Sequence, residues 1–118
     1  MNLFTAEVKK GVNDSCVITL MGYLDAHTAA DLEACFHKAF ADGYRRFVVD
    51  FEQLDYISSA GLGVFMVFIE DAKRDNGDIK MAAMKPKIFT VFDLLGFPVL
   101  FDIYRTVEDA QRAFPAYE

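Results

Sequence analysis

The stretch VVDFEQLDYISSAGLGV, residues 48–64, places an apolar run, two adjacent serines and two glycines in close succession. The continuous apolar character of RRFVVDF (45–51) is typical of a buried parallel strand, with Asp50 near its carboxyl end. Beyond the serines, DNGD (75–78) favours the end of a helix whose apolar residues recur at helical spacing: Leu62, Phe65, Met66 and Ile69. The stretch therefore predicts a strand, a junction at Ser58 and Ser59, and an amphipathic helix.

Upstream of this stretch, the sequence predicts a hairpin followed by a helix. FTAEVKK (4–10) and SCVITLMG (15–22) are short strand-like runs, and GVND (11–14) between them favours a turn. Thr28 is the expected N-cap and Gly43 the expected terminator of the helix. Its predicted inward residues are Leu32, Cys35, Phe36, Ala39 and Phe40.

Downstream, the pattern continues to alternate between strand and helix. IKMAAM (79–84) and VLFDI (99–103) are predicted strands, and Pro86 suits the first turn of the helix between them. That helix is expected to stop at Gly96 and Pro98, and a last short helix follows Thr106 and Asp109 in a capping-box-like start. The predicted inward residues of these two helices are Ile88, Val91, Phe92, Leu95, Val107, Ala110 and Phe114.

These elements come in the order ββαβαβαβα, with no linker or repeat between them. Strands joined by helices of this length lie parallel with right-handed crossovers. The sequence thus predicts an α/β fold with one layer of sheet, mostly parallel and five-stranded, that opens with an antiparallel hairpin. At 118 residues and 53% hydrophobic side chains, we expect a single domain over residues 1–118.

Composition excludes several classes of function. A net charge of −6 opposes the electrostatic term that dominates nucleic-acid affinity, so no direct nucleic-acid binding is expected. No signal-like amino terminus or long apolar run occurs, which indicates a cytoplasmic protein without membrane insertion. Cys16 and Cys35 are expected to be buried reduced thiols, and His27 and His37 lack zinc-type spacing to them, so no metal site is predicted.

The paired serines fall where open α/β sheets place functional sites, at the carboxyl end of a strand. The simplest interpretation is a helix N-cap. A hydrolase elbow would need Gly where Ile57 stands and a later His, and Gly61-x-Gly63 lacks the remainder of a phosphate-binding loop. In receiver domains an aspartate at the end of a strand accepts the phosphoryl group. Asp50 ends a predicted strand, but the acidic pair and the lysine that accompany such an aspartate are missing here. The remaining interpretation is a serine that is exposed for modification at an interaction surface.

The run 48–64 closely resembles the STAS domain, the fold of bacterial anti-sigma factor antagonists. GYLD (22–25) resembles the family's Gly-x-Leu-Asp turn after the second strand. MKPKIFTVFDLLGF (84–97) resembles its third-helix segment, which ends in Leu-x-Gly, and the element order also agrees. The resemblance spans essentially all 118 residues and implies a STAS-like domain.

The resemblance also implies a function. In that family the serine two positions before the Gly-Leu pair is phosphorylated by a partner kinase that is also an anti-sigma factor; here this serine is Ser59, with Ser58 as second choice. Many relatives carry Asp before the serine and Ser after it, where this chain has Ser58 and Ala60. The implied protein is an anti-anti-sigma factor, released from its kinase by phosphorylation and restored by a phosphoserine phosphatase. It is not an enzyme and needs no cofactor.

A partner surface is expected around Ser59. Val64, Val67 and Phe68 widen the apolar face of the helix beyond what one sheet covers, which favours either a partner or a neighbouring helix. The resemblance places Asp25 and Asp50 near the serine, although ending strands and bonding loop amides would explain both equally well. The predicted partner-binding residues are Asp25, Asp50, Ser58, Ser59, Ala60, Gly61, Leu62, Gly63, Val64 and Phe68. The alternatives are an unphosphorylated STAS subunit of a transporter or sensory complex and, as an outside case, a small enzyme.

Overall fold

The computed structural model describes residues 3–116, which form one five-stranded sheet in the order β1-β2-β3-β4-β5. β1 is antiparallel to β2, and the remaining neighbours are parallel. The strands are β1 (Phe4–Lys10), β2 (Ser15–Leu24), β3 (Arg46–Ile57), β4 (Asp78–Ala82) and β5 (Ile103–Tyr104). The predicted hairpin and mostly parallel sheet are therefore confirmed.

The helices fall between the strands as predicted, so the order ββαβαβαβα is confirmed. They are α1 (Ala29–Ala41), α2 (Ser59–Arg74), α3 (Pro86–Leu94) and α4 (Val107–Arg112), with a 3₁₀ turn at Phe97–Val99. At the start of α4, the hydroxyl of Thr106 accepts a hydrogen bond from the Asp109 amide at 3.1 Å, which confirms the predicted cap.

The main core lies between the sheet and α1, α2 and α3, and it is built largely of phenylalanine. Phe36 of α1 stacks on Phe68 of α2 with ring centroids 4.8 Å apart and packs edge-on against Phe47 and Phe65. This interlocking of rings joins α1 to α2 and fixes the position of α2 on the sheet. The location of the amino terminus of α2 is thus set by core packing.

The opposite face of the sheet is covered by α4, over the amino-terminal half of β3 and over β4. Phe114 packs there against Val17 and Val48, and the buried ammonium of Lys80 lies 4.9 Å from its ring centroid. Burial opposes the charge of Lys80, but hydrogen bonds to Asp78 and Asp102 outweigh it and raise the pKa of the lysine. The ammonium therefore stays charged and paired beneath α4.

Local predictions failed where tertiary packing overrode the pattern. VLFDI was predicted as a strand, yet only Ile103 and Tyr104 pair, because the 3₁₀ turn and the Phe101 side chain fill the gap beside α3. Met66 and Leu95 were predicted to face inward and are 40% and 50% exposed. Thr28 occupies the predicted N-cap position of α1, but its hydroxyl bonds the Tyr23 carbonyl and the Asp25 amide, so its side chain closes the preceding turn and makes no capping hydrogen bond to the helix.

Candidate functional site

The two adjacent serines have different structural positions. Ser58 is the N-cap of α2, with extended backbone (φ −107°, ψ 169°), and its Oγ accepts a hydrogen bond from the Gly61 amide at 3.4 Å. Ser59 is the first residue of the helix and is exposed to solvent. The capping role expected of a serine at this junction therefore belongs to Ser58.

The hydroxyl of Ser59 is available for chemistry. Within residues 3–116 it makes no hydrogen bond, and the first turn of α2 contains no acidic side chain. The positive end of a helix dipole and its unpaired amides favour an anion at this position. A phosphoryl group on Ser59 would lie in a field that stabilises it.

The two glycines after the serines serve different purposes. A Cβ on Gly61 would come within 2.6 Å of Leu24 Cγ and 2.9 Å of its carbonyl oxygen, so α2 approaches β2 this closely only because residue 61 is glycine. A Cβ on Gly63 would meet nothing within 4 Å. The fold therefore requires Gly61 but not Gly63, which leaves a bare stretch of backbone on the outer surface of α2.

This difference gives a matched pair of substitutions. Gly61→Ala is expected to destabilise the protein by about 1–3 kcal/mol through the clash with Leu24. Gly63→Ala is expected to stabilise it by about 0.5–1 kcal/mol, because alanine is the better helix former at an open position. Chemical denaturation of both variants measures the two effects, and a destabilising Gly63→Ala would contradict the assignment of open space.

The turn after β2 lies beside the start of α2. The Ser58 amide donates a hydrogen bond to the Leu24 carbonyl at 3.0 Å, and Asp25 follows directly in the chain. The carboxylate of Asp25 accepts a hydrogen bond from the His27 amide at 2.8 Å, within a turn that the Thr28 hydroxyl also closes. Asp25 is thus near the serines, as predicted, and it holds together the turn that supports them.

Asp50 does not belong to this site. β3 continues to Ile57, so Asp50 lies in the body of the strand, opposite Thr19 and Ala82, and not at the carboxyl end where it was predicted. At about 3.3 Å per residue, the strand carries the chain roughly 23 Å from Asp50 to Ile57. Its carboxylate accepts a hydrogen bond from the Glu52 amide at 3.0 Å, beside the shift in register between β2 and β3.

The burial of α2 corrects the predicted partner surface. Leu62 is fully buried, Gly61 packs on Leu24, and Val64 and Phe68 are each only 3% exposed. Phe68 lies against Phe36, His37 and Phe40 of α1. These side chains belong to the core, so their burial contradicts the prediction that they contact a partner.

A different face of α2 is exposed below Ser59. Ala60, Gly63, Met66 and Val67 lie three or four residues apart along it, and Val67 is 62% exposed. We call these four residues the α2 strip. Apolar spacing alone did not identify the α2 strip, because Met66 fits the inward pattern as well as Ile69 does. The open space at Gly63 and the contacts of Phe68 with α1 distinguish the exposed face of α2 from its buried face.

Among residues 3–116, neither serine is hydrogen-bonded to a histidine or carboxylate that could act as its base. The side chain of His27 is 86% exposed, its ring nitrogen lies 3.7 Å from Asp25, and within residues 3–116 it makes no hydrogen bond to either serine. Burial raises the pKa of the Cys16 thiol to about 12 and also raises that of Cys35, so neither is a thiolate near neutral pH. Among the described residues, no three His, Cys, Asp or Glu side chains are grouped to hold a metal ion.

The sequence matches a known family. The STAS domain profile matches residues 4–110, which include both serines, the Asp25 turn and all five strands. The chain belongs to the STAS domain family. Within this match Ser58 directly precedes the exposed Ser59 and caps α2 through its hydroxyl.

Two proteins named as anti-sigma factor antagonists are similar to this chain. The chain is 32% identical over 103 residues to BtrV of Bordetella bronchiseptica, named as an anti-sigma factor antagonist, across 87% of this chain and 89% of that protein. It is also similar to the crystal structure of an anti-sigma factor antagonist from Mycobacterium paratuberculosis, with a TM-score of 0.85, 25% identity, and coverage of 94% of this chain and 93% of that one.

The Bacillus antagonist SpoIIAA, solved in a phosphorylated form, shares the STAS fold at a TM-score of 0.71 and 21% identity, over 93% of this chain and all (100%) of that one. At this identity the likeness concerns the fold alone. Within residues 3–116 of the present chain, none of the helices has the length and apolar character needed to span a membrane.

Proposed function

We propose that this chain is an anti-sigma factor antagonist that binds an anti-sigma factor kinase when unmodified and is released when Ser59 is phosphorylated. The observation that carries the proposal is the exposed Ser59 hydroxyl, unbonded within residues 3–116, at the amino terminus of α2 and directly above the apolar α2 strip. The names of the relatives indicate the class of partner, an anti-sigma factor, and the exposure of Ser59 indicates the residue that is modified.

The α2 strip is the proposed docking surface. Ser59 and Gly63 are four residues apart, and Met66 and Val67 continue the same face by one more turn. A partner that covers Met66 and Val67 therefore also covers the Ser59 hydroxyl. The missing side chain at Gly63 allows the partner's main chain to approach the helix closely in the middle of this surface.

Phosphorylation acts on docking and leaves the fold intact. A phosphate adds about 1.5–2 negative charges at neutral pH, and at the first residue of α2 it is favoured by the helix dipole. Where a partner closes over the same position, these charges must lose their water. The affinity therefore falls while the helix remains folded, which is the behaviour that a reversible switch requires.

The chemistry of the switch belongs to the partners. The kinase binds ATP and transfers the phosphate, a phosphoserine phosphatase removes it, and this chain supplies the acceptor hydroxyl without catalysis or cofactor. Asp25 acts as a positioning residue, because its turn presents the Leu24 carbonyl to the Ser58 amide at the base of α2.

Isolation of the physiological partner tests the proposed function. The tagged wild-type chain and Val67→Asp should be purified in parallel from the native cell, and bound proteins identified by mass spectrometry. We expect an ATP-binding anti-sigma factor with wild type and its depletion with the variant, followed by reconstitution from purified components. Recovery of transporter or sensor subunits in its place would contradict the proposal and favour a STAS subunit of such a complex.

A further inference from the structure

β1 is a long and regular edge strand. Its seven residues pair with β2 without a shift in register, and in the described part of the chain no strand pairs with its other side. The opposite edge of the sheet is protected differently, because β5 has only two residues. A long edge strand with regular pairing is a template for a further strand.

The backbone direction of β1 follows from both ends of the hairpin. The Tyr23 amide bonds the Leu3 carbonyl at 3.0 Å, and the Gly11 amide bonds the Ser15 carbonyl at 2.8 Å. Hydrogen-bonded pairs alternate along an antiparallel ladder. Odd-numbered residues therefore bond β2, and the amide and carbonyl groups of Phe4, Ala6, Val8 and Lys10 point outward.

We propose that the free edge of β1 pairs with β1 of a second copy of this chain, antiparallel and centred on Val8. In that register the outward groups of Ala6, Val8 and Lys10 are matched, because Val8 faces the second copy's Val8 and Ala6 faces its Lys10, while Phe4 lies beyond the paired segment. The two-fold axis closes the contact, so the assembly stops at a dimer.

The charges of Glu7 and Lys9 favour this register over the two adjacent registers. Centring on Val8 places Glu7 of each copy opposite Lys9 of the other, on the same face of the joined sheet. Centring on Glu7 would place two glutamates opposite each other, and centring on Lys9 would oppose two lysines. Glu7 and Lys9 are both exposed, and within residues 3–116 neither makes an ion pair.

The surface beside this edge has space for the second copy. A groove between β1 and α1 is lined by Ala6 and Val8 on one side and by Ala34 and Cys35 on the other, and Val8 is 45% exposed. The pair of Val8 side chains would cover the open side of this groove. α2 packs mainly over β3 and β4 and approaches β2 at Leu24, the last residue of that strand, so the contact along β1 leaves Ser59 and the α2 strip free for another partner.

A charge-swap experiment on the full chain, without any partner protein, tests the dimer. Sedimentation equilibrium should show a reversible dimer for wild type and at least about tenfold weaker dimerisation for Glu7→Lys and for Lys9→Glu, since each opposes like charges twice. An equimolar mixture of the two variants should recover the dimer. In the mixed pair both positions are basic in one protein and acidic in the other, so every lysine faces a glutamate. The double variant should recover the dimer as well.

A backbone variant provides the second measurement. Val8→Pro removes an amide that points away from β2, so the monomer should keep its circular dichroism and the dimer should be lost. A wild type that remains monomeric at high protein concentration, or a mixture of Glu7→Lys and Lys9→Glu that remains monomeric, would overturn the proposal. Dimerisation of Val8→Pro at wild-type strength would also overturn it, by placing the interface elsewhere.

Discussion

Ser59→Glu is expected to weaken binding of the anti-sigma factor by at least about tenfold, and phosphorylation of Ser59 by about a hundredfold, while Ser59→Ala binds as the wild type does. The order follows from charge, because alanine adds none, glutamate adds one, and phosphate adds about two at a position that the proposed partner covers. Since Ser59 does not cap α2, Ser59→Ala should change the free energy of unfolding by no more than about 0.5 kcal/mol. Ser59→Glu should raise it by up to about 1 kcal/mol through the helix dipole. Isothermal titration calorimetry measures the affinities.

Ser58→Ala is the matched control for these variants. It removes the hydroxyl that bonds the Gly61 amide; because that bond is long at 3.4 Å, the loss should be about 0.5–1 kcal/mol of stability. Binding should remain close to that of the wild type. Equal affinity for Ser59→Ala and Ser59→Glu would contradict a charge-based switch.

The second large effect is the loss of binding in Val67→Asp, which distinguishes the exposed face of α2 from its buried face. Phe68→Ala is expected to cost about 3–5 kcal/mol of stability, because its ring fills the core between α1 and α2. Val67→Asp should leave stability within about 0.5 kcal/mol of wild type, because Val67 is 62% exposed. Burying its carboxylate beneath a partner without a counter-charge should weaken binding at least a hundredfold, roughly.

Val12→Asp provides the control for added charge. Val12 is 50% exposed in the turn between β1 and β2, at the end of the sheet opposite Ser59. It gives the protein the same net charge as Val67→Asp, and we expect it to bind the anti-sigma factor normally. A Val67→Asp variant that binds as tightly as Val12→Asp would show that the α2 strip is not the docking surface.

The order and type of the elements could be predicted from the sequence because their signals are local. The GVND turn, Pro86 and Thr106 each mark a boundary by their own backbone or capping chemistry. The lengths of the helices and strands were harder to predict from the sequence. β3 extends to Ile57 because it pairs with the end of β2, a long-range contact that no local pattern encodes, and this extension separates Asp50 from the serines.

The candidate site was predicted in its location but not in its details. Sequence placed both serines at a strand-to-helix junction, yet only the backbone geometry distinguishes the cap, Ser58, from the exposed Ser59. Gly61 and Gly63 are likewise equivalent in sequence and differ only in whether Leu24 lies against them. The outward face of α2 depends on where α1 packs, so the inclusion of Phe68 in a partner surface could be corrected only by its ring contacts.

Mapping of the phosphorylated residue tests the central claim most directly. Wild type, Ser58→Ala and Ser59→Ala should be incubated with the cognate kinase and ATP, and then analysed by intact mass and fragmentation. From the proposed function we expect one phosphate on Ser59 in wild type and in Ser58→Ala, and none in Ser59→Ala. Exclusive labelling of Ser58, or full labelling of Ser59→Ala, would contradict the assignment of Ser59 as the acceptor.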